Sequence, residues 1–156
     1  MKGILIIRCS YQALKRKQKM EYEKSCGFVA YRQIGSEKEY LLIRAINGDV
    51  GFPKGHTEQG ESEIETAIRE LKEETNVTVE PVEGFRQEIS YSLPRKENTK
   101  KQVVYFLGKC VSERLTPQAS EVKEAYFLPY KDAIKALTFE DTKKILKAAE
   151  AFLRSR

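Results

Sequence analysis

The stretch GHTEQGESEIETAIRELKEETNV, residues 55–77, constrains the fold most, because it sets where one helix starts, which face it buries and where it stops. Ser62 and Glu65 have the spacing of a capping box, in which each side chain satisfies a backbone N–H left open at a helix start. The helix is therefore predicted to begin there. Asn76 falls where it should end, and Asn is among the few residues that accept the left-handed cap conformation. At about 100° per residue, Ile64, Ala67, Ile68 and Leu71 share one stripe that must face a core.

Glu70, Glu73 and Glu74 stand at i, i+3 and i+4 and crowd a neighbouring arc, with Glu63 close by. Like charges at this spacing cost a helix roughly 0.2–0.5 kcal/mol per pair. A solvated, Glu-rich face accounts for Glu-x-x-Glu-Glu taken alone. A shared cation is the other way to tolerate the repulsion, and hard carboxylate oxygens on a rigid element suit magnesium or manganese.

The rest of the chain bounds the class. A length of 156 residues predicts one domain with a real hydrophobic core. No apolar run approaches the roughly 18 residues needed to span a bilayer, and nothing implies an obligate protein partner. The run at 3–7 is too short for a secretory signal and lacks a small-residue cleavage site, so a cytoplasmic protein is expected. Cys9, Cys26 and Cys110 are odd in number and lack C-x-x-C spacing, which fits reduced buried thiols rather than a disulfide frame or zinc site. A net charge of +5 suits a polyanionic partner, a nucleotide polyphosphate or an RNA 5′ end, although any soluble basic protein shares it.

Residues 25–33 and 39–46, rich in aromatic and β-branched side chains, are predicted strands joined by a turn at Gly35 and Ser36. After a turn signal at 47–49, GFPKGH at 51–56 reads as a loop that places Lys54 and His56 just before the acidic helix. Residues 77–92 carry strand signals broken at Pro81 and Gly84. Residues 94–101 read as a charged hairpin loop, and 102–111 as the clearest strand. A further strand is expected at 121–128, and Pro129 suits the opening of a short helix over 130–137. A last amphipathic helix, over 139–154, is expected to bury Ile145, Leu146, Ala149, Phe152 and Leu153. Strands flanked by a middle helix and terminal helices give a layered α/β domain. Residues 1–23 stand apart as an N-terminal extension of unassigned role, with a basic segment at 15–19. Residues 1–19 are expected to be dispensable.

The full spacing of the helix stretch decides between the two readings of its glutamates. Gly55, five residues, Glu61, seven residues and then Arg69-Glu70-Leu71-x-Glu73-Glu74-x-Asn76-Val77 resembles the Nudix box at eight of nine defined positions. At average residue usage, such a match in a chain this long has a chance on the order of a few in a million. The departure is Asn76 in place of Gly, and its left-handed tolerance predicts that the helix end survives. Outside the box lie FPKGH at 52–56, EGFR at 83–86 leading to Ile89, Ser90 and Tyr91, KQVVYFL at 101–107 and LTFE at 137–140. Together they are similar to the asymmetrical diadenosine tetraphosphate hydrolases of the Nudix superfamily, over residues 24–153. Val50 departs where many relatives carry Trp.

For residues 24–156 the resemblance implies a Nudix fold, an α/β/α sandwich with a mixed central β-sheet, and a metal-dependent pyrophosphohydrolase. It implies magnesium, with manganese as the alternative, held by Glu70, Glu73, Glu74, Glu121 and the Gly55 carbonyl. Glu74 is the first choice for proton acceptor and Glu121 the second. Arg69, expected to pair with a carboxylate of the box, and Glu61 buttress the site. Lys54, His56 and Lys101 are candidate phosphate contacts, and Tyr91 and Phe139 match positions where relatives stack an adenine. The plain readings are a satisfied loop histidine for His56, a solvated strand-end lysine for Lys101 and core positions for Tyr91 and Phe139. The implied reaction splits diadenosine tetraphosphate into ATP and AMP. An RNA 5′-pyrophosphohydrolase, favoured by the basic segments 15–19 and 95–101, or a nucleoside triphosphate-cleaning enzyme would use the same site. A non-catalytic nucleotide-binding module is the rival of another class, and it has no need of concentrated repulsive charge.

Overall fold

Side chains alternate along residues 26–31: Cys26, Phe28 and Ala30 enter one apolar cluster, and Val29 and Tyr31 enter another. A strand buried on both faces needs a covering layer on each side. The computed structural model describes residues 20–112 and 114–156. Its strands are β1 (Glu21–Ile34), β2 (Glu37–Ala45), β3 (Val50–Gly51), β4 (Lys54–His56), β5 (Thr78–Ser92), β6 (Thr99–Ser112) and β7 (Val122–Pro129). Its helices are α1 (Glu63–Thr75), α2 (Tyr130–Ala136) and α3 (Glu140–Arg154). Ala67 and Leu71 of α1 pack with Val104 and Val77 on one face of the sheet. Ala133 of α2 and Ile145, Leu146 and Ala149 of α3 pack on the other. The architecture is the expected α/β/α sandwich.

β1 runs parallel to β6 and the other pairings are antiparallel, so the sheet is mixed. A strand has two edges. β6 occupies one edge of β1, so β2, at 31–34, and β4, at 25–27, share the other. β7 occupies one edge of β2, so β1 and β3 share its second edge in the same way. β1 and β2 therefore pair only near their turn and then part. The fork between them is where the candidate site forms.

Several elements differ from the sequence expectation. Residues 54–56 form β4 instead of a loop, because they complete the edge of β1. Pro81 and Gly84 do not interrupt β5. Its register with β6 slips between Pro81 and Arg86, and Gly84, at φ 91°, belongs to the bulge. β6 begins at Thr99, which puts Lys101 inside the sheet rather than in a hairpin loop. Ile68 is 44% exposed, since only the Ala67–Leu71 side of α1 meets the sheet, and Phe152 and Leu153 are only partly buried. Cys26 is a buried thiol and Cys110 a half-buried one, while Cys9 and the basic segment 15–19 lie outside the described residues. Among the described residues no helix is long and apolar enough to cross a membrane.

Candidate active site

The two ends of α1 fix where its glutamates stand. Ser62 Oγ accepts from the Glu65 N–H and a Glu65 oxygen accepts from the Ser62 N–H, both at 3.2 Å, which closes the predicted capping box. Asn76 takes a left-handed φ of 64°, and its N–H donates to the Lys72 carbonyl at 2.9 Å. Its side-chain amide donates to the Arg114 carbonyl at 3.1 Å. Asparagine thus fills the glycine place of the box without moving the helix end. Burying a leucine contributes about 1.5–3 kcal/mol, so Leu71 anchors the helix and leaves its acidic side toward β4.

Arg69 gathers the acidic groups. Its Nε and Nη2 donate to the two oxygens of Glu61 at 2.7 and 2.9 Å. Its Nη1 donates to Glu70 at 2.9 Å and to Glu73 at 3.1 Å. Nη2 also donates to the His56 carbonyl at 2.9 Å, tying α1 to β4. The hydrogen bonds from Arg69, the largest cause, hold the Glu61 carboxyl down at about 2.

Glu70 and Glu74 sit in the opposite electrostatic condition. The Glu70 carboxylate lies against Gly55, where a Cβ would overlap it. Burial raises its pKa against the pull of Arg69. Glu74 is 5% exposed, and burial first, then Glu70 and Glu121, pushes it up to about 8. The Lys54 N–H donates to Glu74 at 3.2 Å, while burial lowers the pKa of the Lys54 side chain. Among the described residues, no three carboxylate, imidazole or thiol groups already close around one point. The donor chemistry nonetheless fits a hard divalent cation. Glu121 raises the pKa of both Glu70 and Glu74, Glu70 raises that of Glu74, and a cation relieves such crowding as a proton does.

A cavity of about 570 Å³ opens at the fork, and Lys54, Glu74, Glu121, Tyr91 and Phe139 all line it. Tyr91 and Phe139 are 41% and 55% exposed, so neither is a core aromatic. His56 and Lys101 do not line the cavity. They meet each other, Lys101 Nζ to His56 Nε2 at 2.9 Å. Burial, ahead of the neighbouring Lys54, lowers the pKa of Lys101, and burial ahead of Lys101 lowers that of His56. Sequence reasoning missed the polar lining residues Asn47, Asp49, Asp141 and Thr142. The turn signal at 47–49 marks only Asn47 and Asp49, and it speaks of backbone shape.

The profile of the NUDIX domain matches residues 27–149. The chain is 31% identical to the asymmetrical bis(5′-nucleosyl)-tetraphosphatase of Mus musculus over 144 residues, which covers 85% of this chain and 96% of the mouse protein. It is 33% identical to the Sus scrofa protein of the same name over 144 residues, with the same coverage of both chains. A crystal structure of a C. elegans Ap4A hydrolase binary complex superposes with a TM-score of 0.78 at 29% identity, covering 86% of this chain and 99% of that one. The chain belongs to the Nudix family. It is a Nudix pyrophosphohydrolase, a class whose members generally use divalent metals.

Proposed function

We propose that the protein hydrolyses dinucleoside polyphosphates, diadenosine tetraphosphate before others, to give ATP and AMP. The observation that carries this reading is the make-up of one cavity, in which Glu74, Glu121 and Lys54 join two half-exposed aromatics, Tyr91 and Phe139. Acidic groups for a cation, an ammonium for phosphate and flat rings for a base match the three parts of a nucleotide anhydride. The likeness to asymmetrical tetraphosphatases of mouse and pig supports the choice among such substrates.

In this reading Glu70, Glu73, Glu74 and Glu121, with the Gly55 carbonyl, hold magnesium, or manganese in its place. The bound cations supply charge neutralisation at the phosphate oxygens and acidify water. Glu74 takes the proton of the attacking water. Arg69 keeps Glu70 and Glu73 in their orientations, an outer-layer task on which ligand geometry depends. Lys54, His56 and Lys101 receive phosphate oxygens, and Tyr91 and Phe139 stack the adenine.

The test compares diadenosine tetraphosphate, triphosphorylated RNA and nucleoside triphosphates side by side with magnesium, in heavy-oxygen water to locate the attacked phosphorus. The highest kcat/KM on the dinucleotide, with ATP and AMP as products, is expected. Faster turnover of the RNA or of the triphosphates overturns the substrate assignment. No turnover of any of them makes the protein a nucleotide-binding module.

A further inference from the structure

Ser25 carries the one buried side-chain oxygen or nitrogen, among the described residues, that has no hydrogen-bond partner. The residue is 1% exposed. A buried hydroxyl left without a partner loses its hydration for no return, so its presence in a folded chain calls for a cause.

Its surroundings supply one. Residues paired across strands present their side chains on the same sheet face. Ser25 pairs with His56 of β4 on one side and with Val103 of β6 on the other. In the next row Glu23 pairs with Lys101, which pairs in turn with Tyr91 of β5. His56 and Lys101 therefore stand on opposite sides of β1, and their 2.9 Å contact crosses that strand between the rows of Ser25 and Glu23. Val103 and Tyr91 on this face also line the cavity, as does Lys54, which pairs with Gly27 one row further along.

We propose that Ser25 is a phosphate-binding residue, whose hydroxyl donates to a phosphoryl oxygen that enters between Lys101 and His56. The ligand is the polyphosphate chain of the substrate, a choice that rests on the function proposed above; the residue itself lies outside the Nudix box. An ammonium and a hydroxyl then converge on one anionic oxygen. The orphan O–H gains the partner that the ligand-free fold denies it. The single contact between Lys101 and His56 is exchanged for hydrogen bonds to a phosphate oxygen, which are stronger than those between neutral groups.

Binding of inorganic tripolyphosphate, which has no base and is measured without divalent metal, isolates the phosphate contact from turnover. Calorimetry on the full chain and on Ser25→Ala is expected to show affinity about tenfold weaker in the variant, the scale for a lost hydrogen bond to a charged group. Ligand-free Ser25→Ala is expected to melt no lower than the parent, because alanine leaves no polar atom unpaired. On diadenosine tetraphosphate its KM is expected to rise by more than its kcat falls. Equal tripolyphosphate affinity in the two proteins overturns the proposal. So does a lower Tm for ligand-free Ser25→Ala, which would show the hydroxyl satisfied within the fold. A parent protein that binds tripolyphosphate through Ser25 yet leaves diadenosine tetraphosphate intact removes the substrate assignment and keeps this contact.

Discussion

Glu70 lies so close to the α-carbon of Gly55 that a Cβ at position 55 would overlap its carboxylate. Gly55 is not among the residues with positive φ, so glycine serves close approach there, not an unusual backbone shape. Gly55→Ala has to push aside the far end of a flexible side chain, a shift that the fold is expected to absorb and the proposed reaction is not. A displacement of about 1 Å costs on the order of a hundredfold in rate. kcat is expected to fall by about that factor while the urea midpoint hardly moves. Unchanged kcat, measured alongside urea unfolding, would place Glu70 outside the working set.

Glu74 combines burial with proximity to Glu70 and Glu121, which pushes its carboxyl up to about 8. Glu74→Gln keeps its shape and an oxygen for the Lys54 N–H but removes the basic carboxylate. kcat is expected to fall at least about a hundredfold, the lower range for a lost general base. Chelation by EDTA is expected to stop the parent enzyme, and added magnesium to restore it. Near-normal kcat in Glu74→Gln would move the proton acceptor elsewhere, with Glu121 the next to test.

What the sequence disclosed here was what local rules decide. Ser62, Glu65 and Asn76 act within one helix and its ends, and all three behave as their spacing predicts. Lys101 reads as a loop residue because charge marks loops, yet pairing with both β1 and β5 holds it in the sheet. Asp49 and Asp141 lie far apart in the chain and reach one cavity only because β1 and β2 part company. Ser25 had no signal at all, since the lack of a partner is a property of its neighbours and not of its type.

Tyr91 and Phe139 are half-exposed on a shared cavity, so little core packing is lost when either is shortened. Stacking on a base contributes about 1–3 kcal/mol, which is roughly 5- to 150-fold in affinity. Tyr91→Ala and Phe139→Ala are each expected to raise KM for diadenosine tetraphosphate within that span, with kcat and Tm little changed. Unaltered KM in both variants would return them to plain surface aromatics.

Glu63 joins the first turn of α1 to β5 through two hydrogen bonds from Arg86, at 2.9 and 3.0 Å, and to β1 through Lys24. Arg86 first, then Lys24, holds its carboxyl at about 2, below the ordinary 4.5. A carboxyl depressed on folding stabilises the folded state above its unfolded pKa and loses that effect as pH falls through the folded one. Solvent screening keeps the contribution to about 1 kcal/mol or less. The gap in urea midpoint between the parent and Glu63→Gln is therefore expected to be full above pH 4.5 and to close toward pH 2. A gap that stays constant across that window would show that Glu63 is not paired in solution.

Residues 21–24 of β1 pair with 99–102 of β6, and the Glu21 N–H donates to the Asn98 carbonyl at 2.7 Å. Glu23 and Lys24 add ion pairs to Lys96 and Glu63. Residues 1–19 hold six of the 28 Lys and Arg and none of the 23 Asp and Glu, so residues 20–156 carry 22 basic and 23 acidic side chains. The excess positive charge is thus carried by residues 1–19 of the sequence. A protein begun at Met20 is expected to keep the parent Tm and kcat on diadenosine tetraphosphate. One begun at Ser25 loses four pairings and both ion pairs and is expected to melt lower. If the Met20 protein instead fails to fold or turns over more slowly, residues 1–19 contribute to the working enzyme through contacts that charge alone does not reveal.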